Sequence, residues 1–254
     1  MSARAGLPLR VWAVAHRGAS RDRPENTLAA FDEALRQGCD GIELDVRLSA
    51  DGVPAVYHDD NLGRAGRPDR RLEDLSMEAL RGLDVGTPFD ERFAGERIPT
   101  LRAVLEQYAS RTRLLLELKS SHDEARDLAL VRATVDLARE TRAEEKLFVL
   151  SFHESILAAA AGLEPRLPRV LNLKPGPRLD DRLRALLPSL AALSVDVRGA
   201  TPAFGHEARE AGCPLWAWTC NSSRKVDRAL EAGAAAVISD RPAWLATYLK
   251  ENSR

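Results

Sequence analysis

The sequence predicts an α/β fold, a (β/α)8 TIM barrel with a β-hairpin and an insertion in the loop after strand 2. Three observations point there. Eight short runs rich in β-branched or aliphatic residues alternate with longer segments of helical period, the signature of a parallel sheet with crossover helices. The length of 254 residues suits one such barrel, typically about 250 residues. No glycine-rich dinucleotide loop follows the first run, which removes the main argument for an open doubly wound sheet. The whole chain, 1–254, then reads as a single barrel domain.

The strands are expected at 11–16, 41–46, 114–119, 147–152, 168–173, 193–197, 215–219 and 235–239. Between them, a helix is expected over 27–37 behind an Asn26 cap, and another over 123–141 with Val131, Val135 and Ala138 on one face. Further helices start near Leu101, Glu154, Leu179, Pro202 and Ser222. A ninth strand-like run, 53–58, follows the second strand after a turn ending in Asp51-Gly52. A parallel crossover needs a dozen or more residues, so this run must fold back as an antiparallel arm. Residues 60–99 break the repeat, being rich in Arg, Gly and Asp with one short helical stretch at 76–81. They read either as a lid-like insertion over the barrel mouth or as a mobile surface excursion.

Hydrophobic residues make up 44% and charged residues 30%, the composition of a globular chain and not of a disordered or membrane one. A net charge of −1 gives no electrostatic footprint for nucleic acid, so a small-molecule partner is expected. The three cysteines, at unrelated spacings, indicate neither a disulfide framework nor a zinc site. Arg10 interrupts the mildly apolar start, no signal peptide is expected, and no run approaches the roughly 20 apolar residues that span a bilayer. Cytoplasmic placement without stable membrane insertion is the resulting expectation, and nothing bears on oligomeric state.

Strand alternation puts Glu43 and Asp45 on one face and Ile42, Leu44 and Val46 on the other. The same logic turns Leu115, Glu117 and Lys119 inward. Three acids then converge at the C-terminal strand ends, where barrel enzymes place their active sites. Burying them together is costly without a compensating cation, and oxygen ligands favour Mg²⁺ or Ca²⁺ over zinc. The alternative is a salt-bridge cluster with Arg17 and Lys119. The histidines favour chemistry: of five in the chain, His16 and His58 each close a strand-like run beside these acids, and their ordinary pKa suits a donor and acceptor of protons. Arg17 and Lys119 match the charge of a phosphodiester approaching its transition state. His122, His153 and His206 read as structural.

With His16-Arg17-Gly18, Pro24-Glu25-Asn26-Thr27, Gly41-Ile42-Glu43-Leu44-Asp45-Val46, Asp51-Gly52, His58-Asp59, Glu117-Leu118-Lys119, Ser151-Phe152, Trp218-Thr219-Cys220-Asn221 and Ser239-Asp240-Arg241-Pro242 in order, the chain resembles the glycerophosphodiester phosphodiesterase family. The resemblance implies the barrel and hydrolysis of glycerophosphodiesters to sn-glycerol 3-phosphate and an alcohol. It puts one divalent cation (Mg²⁺, Ca²⁺ or Mn²⁺) on Glu43, Asp45 and Glu117, and the acid and base on His16 and His58. It also assigns phosphate contacts to Arg17 and Lys119, and pocket rings to Phe152 and Trp218. Glu25 and Asn26 are expected to shape the first loop. Asn221 either caps the following helix or touches substrate. Three departures stand out: Arg64-Ala65-Gly66-Arg67 where the family often has Arg-Thr-Thr and glycines, Ala235-Ala236 in the last strand, and His153 after Phe152, a titratable group expected near the mouth. A lysophospholipase D-type substrate, a carbon-carbon lyase and a non-catalytic barrel are the rival readings.

Overall fold

A computed structural model describes residues 10–252, so the question of a leader peptide at the very start lies outside the described residues. Strands β1 (Trp12–His16) and β2 (Gly41–Leu48) are followed by the short antiparallel β3 (Pro54–Val56) and a two-stranded ribbon, β4 (Asn61–Leu62) and β5 (Arg67–Arg71). Then come β6 (Arg113–Leu118), β7 (Leu147–Ser151), β8 (Arg169–Leu173), β9 (Ala192–Asp196), β10 (Leu215–Trp218) and β11 (Ala234–Ser239). Among the described residues β1, β2 and β6 to β11 make eight parallel strands, and pairing of β1 with both β11 and β2 closes them into a barrel. The predicted TIM barrel and its extra antiparallel arm are both present, with Val46 opposite Val56 and Leu48 opposite Pro54.

Alternation sorts the side chains as the period of two requires. Ile42, Leu44, Val46, Leu114, Leu116 and Leu118 pack outward on Phe31, Leu105, Tyr108, Val131 and Val135 of the surrounding helices. Inside, Trp12, Phe148 and Trp216 meet at centroid distances of 5.2 to 6.0 Å and plug the barrel floor. Val14, Leu115, Leu150, Val170 and Ile238 belong to the same interior cluster. A packed floor confines any cavity to the opposite, C-terminal end.

The crossover helices are α1 (Leu28–Arg36), α3 (Leu101–Tyr108), α4 (Glu124–Thr141), α5 (Glu154–Leu163), α6 (Asp181–Leu186), α7 (Pro202–Glu210) and α8 (Ser223–Glu231), with α2 (Met77–Arg81) inside the insertion. An unanticipated α9 (Pro242–Asn252) follows the last strand. The Asn26 cap is corrected: Thr27 caps α1, its hydroxyl accepting from the Ala30 amide at 3.2 Å, because Asn26 sits at φ 58° and turns its side chain elsewhere. The insertion is built rather than loose. Leu62, Leu72, Met77, Leu80 and Ile98 form a small core with Ala55 and Tyr57 of the hairpin arm, and Gly66 turns the ribbon at φ 72°.

Candidate active site

His16 ends β1, and the chain then bends through Arg17 at φ 56° and Gly18 at φ 83°. A Cβ at Gly18 would lie 2.7 Å from Ala30, so this turn admits only glycine. The bend delivers the Arg17 amide to Glu43 Oε2 (3.1 Å) and its guanidinium to Glu25 Oε1 (2.9 Å) and Asp45 Oδ2 (3.2 Å). Glu43 and Asp45 point inward from β2, and Glu117 from the end of β6, where Asp45 is its register partner. One oxygen from each of the three lies within 4.8 Å of the others. The Lys119 ammonium stands 2.9 Å from Asp45 Oδ1 and also bonds Glu117. All seven predicted residues therefore meet, with His58 carried in by the hairpin arm.

The electrostatics separate these acids. Burial, followed by the charge of Asp45, pushes Glu43 up to about 8. Burial would also raise Asp45, but Lys119 and Arg17 outweigh it and hold Asp45 well below the usual carboxylate range. Glu117 is raised, chiefly by burial. Lys119 and Arg17 resist burial through the same acids and stay charged. Three inward carboxylates thus face two fixed cations, an excess of negative charge beside the Arg17 and Lys119 side chains. The donor set, all oxygen and close together, fits a hard divalent cation.

Each histidine is anchored through Nδ1 by a carboxylate. His16 meets Asp240 Oδ1 at 2.6 Å, and His58 meets Asp59 Oδ1 at 2.5 Å. A carboxylate acceptor fixes the proton on Nδ1 and leaves Nε2 for chemistry. The two environments differ. Burial opposes charge on His16, yet Asp240 and Glu43 outweigh it and raise its pKa; burial dominates at His58 and lowers it.

The sequence reading gave no role to Asp240 or Asp59. Adjacency of His58 and Asp59 was the available signal for one; the other follows the last strand and meets His16 only through barrel closure. Asn221 neither caps α8 nor lines the cavity: its amide nitrogen donates to Asp240 Oδ2 at 2.5 Å, and its oxygen accepts from Ser239 Oγ at 2.8 Å. Asn26 likewise braces an acid, donating to Asp45 Oδ2 at 2.9 Å. Glu25 and Arg64 link the halves, since Arg64 reaches both Glu25 (3.3 Å) and Asp59 (2.8 Å). His153 packs edge-on against His122, centroids 5.8 Å apart, and is not among the residues lining the cavity.

The cavity above the floor measures about 160 Å³. His16, Arg17, Glu43, His58, Glu117 and Lys119 line one side, and Phe152 and Trp218, rings perpendicular at 5.8 Å, stand on the other. Such a site offers paired proton carriers beside a cationic and acidic cluster, the equipment for displacement at phosphorus.

Comparison with known proteins agrees with this geometry. The model of the glycerophosphoryl diester phosphodiesterase family matches residues 16–244. A glycerophosphodiester phosphodiesterase from Caldanaerobacter subterraneus subsp. tengcongensis is 31% identical over 94% of this chain and 97% of its own. The structure of an Oleispira antarctica phosphodiesterase, in complex with the product sn-glycerol-3-phosphate, superposes with a TM-score of 0.87 at 30% identity, covering 98% of this chain and 100% of that one. A glycerophosphodiester phosphodiesterase from Agrobacterium tumefaciens gives 0.74 at 30% identity over 93% and 99%. The match over residues 16–244, joined to a barrel whose strand ends gather these acids and histidines, places the chain in the glycerophosphoryl diester phosphodiesterase family.

Proposed function

We propose that the protein hydrolyses glycerophosphodiesters to sn-glycerol 3-phosphate and an alcohol, with a divalent cation held by Glu43, Asp45 and Glu117. The observation that carries this reading is the pair of carboxylate-anchored imidazoles lining one cavity with Arg17 and Lys119. Arg17 and Lys119 hold the phosphate, and one histidine takes the proton of the attacking oxygen while the other protonates the leaving oxygen. The attacking oxygen is water or the substrate's own 2-hydroxyl. Mg²⁺, Ca²⁺ or Mn²⁺ there would polarise the phosphoryl oxygens. Purified protein should release glycerol 3-phosphate from glycerophosphocholine and stop on chelation; no release with any of the three ions across common headgroups overturns the proposal.

The raised Glu43 provides a second check. Between about 4.5 and 8 the ion-free fold binds a proton that the unfolded chain does not, so its stability falls as pH rises through that interval. A bound divalent ion replaces that proton. The melting-temperature gap between ion-loaded and chelated protein is expected to widen by about 5 °C or more from pH 5 to pH 8.5. A gap independent of pH would show that Glu43 carries no proton for the ion to displace.

A second reading, lysophospholipase D-type activity, is favoured by one feature. A separate cavity of about 330 Å³ lies between the first loop and the insertion, lined by Val56, Val85, Pro88, Phe89 and Ile98, and Phe89 is 44% exposed. Equal hydrolysis of lysophosphatidylcholine and glycerophosphocholine would favour it over the water-soluble substrate. No helix among the described residues is long and apolar enough to cross a membrane. The free cysteines, Cys39, Cys213 and Cys220, suit a reducing compartment, and cytoplasmic placement is part of the proposal.

A further inference from the structure

Each imidazole of the site leans on a carboxylate, and each of those carboxylates is held in turn. Asp240 gives Oδ1 to His16, and its Oδ2 receives the Asn221 amide at 2.5 Å. Asp59 gives Oδ1 to His58, and its Oδ2 accepts from Arg64 Nε at 2.8 Å. Arg64 reaches further than Asn221 does. Its Nη1 stands 3.3 Å from Glu25 Oε2, while Glu25 Oε1 accepts from Arg17 Nη1 at 2.9 Å. Arg17, Glu25, Arg64, Asp59 and His58 thus form one unbroken chain of contacts between the first loop and the hairpin arm, with both oxygens of each carboxylate engaged.

The main chain around His58 is anchored without Arg64. Arg47 Nε donates to the His58 carbonyl at 2.8 Å, the Tyr57 amide to the Asp45 carbonyl at 3.0 Å, and the Leu72 amide to the Asp60 carbonyl at 2.9 Å. Those bonds leave rotation of the His58 and Asp59 side chains open, and Arg64 is the group that closes it. The Arg64 side chain is 47% exposed, and ion pairs so placed add little to stability. Orientation is a different matter: a proton carrier works only when the groups behind it hold its ring in the productive direction.

We propose that Arg64 is a positioning residue: through Asp59 it sets the orientation of the His58 imidazole, and through Glu25 it fixes that imidazole relative to Arg17. The inference rests on the reading of His58 as a proton carrier and of Arg17 as a phosphate contact. It also gives the insertion a part in the reaction, because Arg64 lies in the Gly63–Ala65 turn that joins the two strands of the ribbon. The fork of the guanidinium matters here. Two different nitrogens serve the two carboxylates, which a single ammonium would not do in the same geometry.

The test uses Arg64→Met in the full chain, which keeps an unbranched stem and removes the fork. On glycerophosphocholine kcat should fall about tenfold, and the melting temperature should stay within about 3 °C of the parent's. The combined variant Arg64→Met, Asp59→Asn should lose less than the product of the two single losses, because both act on one imidazole. Proton NMR reads the geometry without turnover. An Nδ1 proton held by a carboxylate resonates far downfield, so His16 and His58 should each give such a signal, assigned by its loss in His16→Gln and His58→Gln. In Arg64→Met the His58 signal should broaden or vanish while the His16 signal stays. No His58 signal in the parent protein, an unchanged kcat, losses that multiply, or two signals that persist or fade together would each overturn the positioning role. Should Arg64→Met fail to fold, Arg64→Gln carries the same comparison. A parent protein that hydrolyses no glycerophosphodiester would refute the reaction, and the His58 signal would still decide whether Arg64 positions the imidazole.

Discussion

Replacing His16 with alanine is expected to lower kcat on glycerophosphocholine by about 10² to 10⁴-fold. Divalent-ion affinity should stay within about twofold, because His16 Nε2 stands 3.9 Å from Glu43 and the acids are braced by Arg17, Asn26 and Lys119 instead. His58→Ala should lose a similar factor. The two variants should differ when the leaving alcohol is p-nitrophenol, which departs without a proton. The variant lacking the acid should recover much of its rate on that substrate, and the variant lacking the base should not. Full activity in His16→Ala would refute the acid-base pairing, and equal recovery in both would refute its division of labour.

Asp45→Asn is expected to act on both fold and chemistry. Asp45 is 1% exposed and is the counter-charge for Lys119 and Arg17 together. Removing one member of a buried ionic group leaves its partners uncompensated, a loss of about 3 to 5 kcal/mol. At this chain length that lowers the melting temperature by roughly 10 °C. Activity should fall by about 10³-fold with loss of divalent-ion binding. Asn26→Ala, which removes only the brace on Asp45, should cost about 10 to 100-fold. An Asp45→Asn protein that melts lower yet keeps its ion affinity would show that Asp45 serves the cations alone.

Period-two alternation made the barrel and its acids legible, because an inward Glu43 forces Asp45 inward two residues on and register brings Glu117 alongside. What escaped the sequence depends on contacts between distant segments. Asn26 and Thr27 are both good helix caps, and only the reach of the Asn26 amide to Asp45 decides between them. The ribbon strand Arg67–Arg71 is exposed throughout and carries no apolar alternation, so pairing with Asn61–Leu62 makes it a strand where propensity does not.

The hydrogen bond between His16 and Asp240 joins residues 224 positions apart, across the seam where β1 meets β11. The acids Glu43, Asp45 and Glu117, by contrast, all sit on β2 and β6 and do not span that seam. If His16 carries a proton as proposed, turnover depends on the final stave. During refolding, ion binding should recover ahead of turnover, so activity reports closure of the seam and ion binding reports only the first half of the barrel.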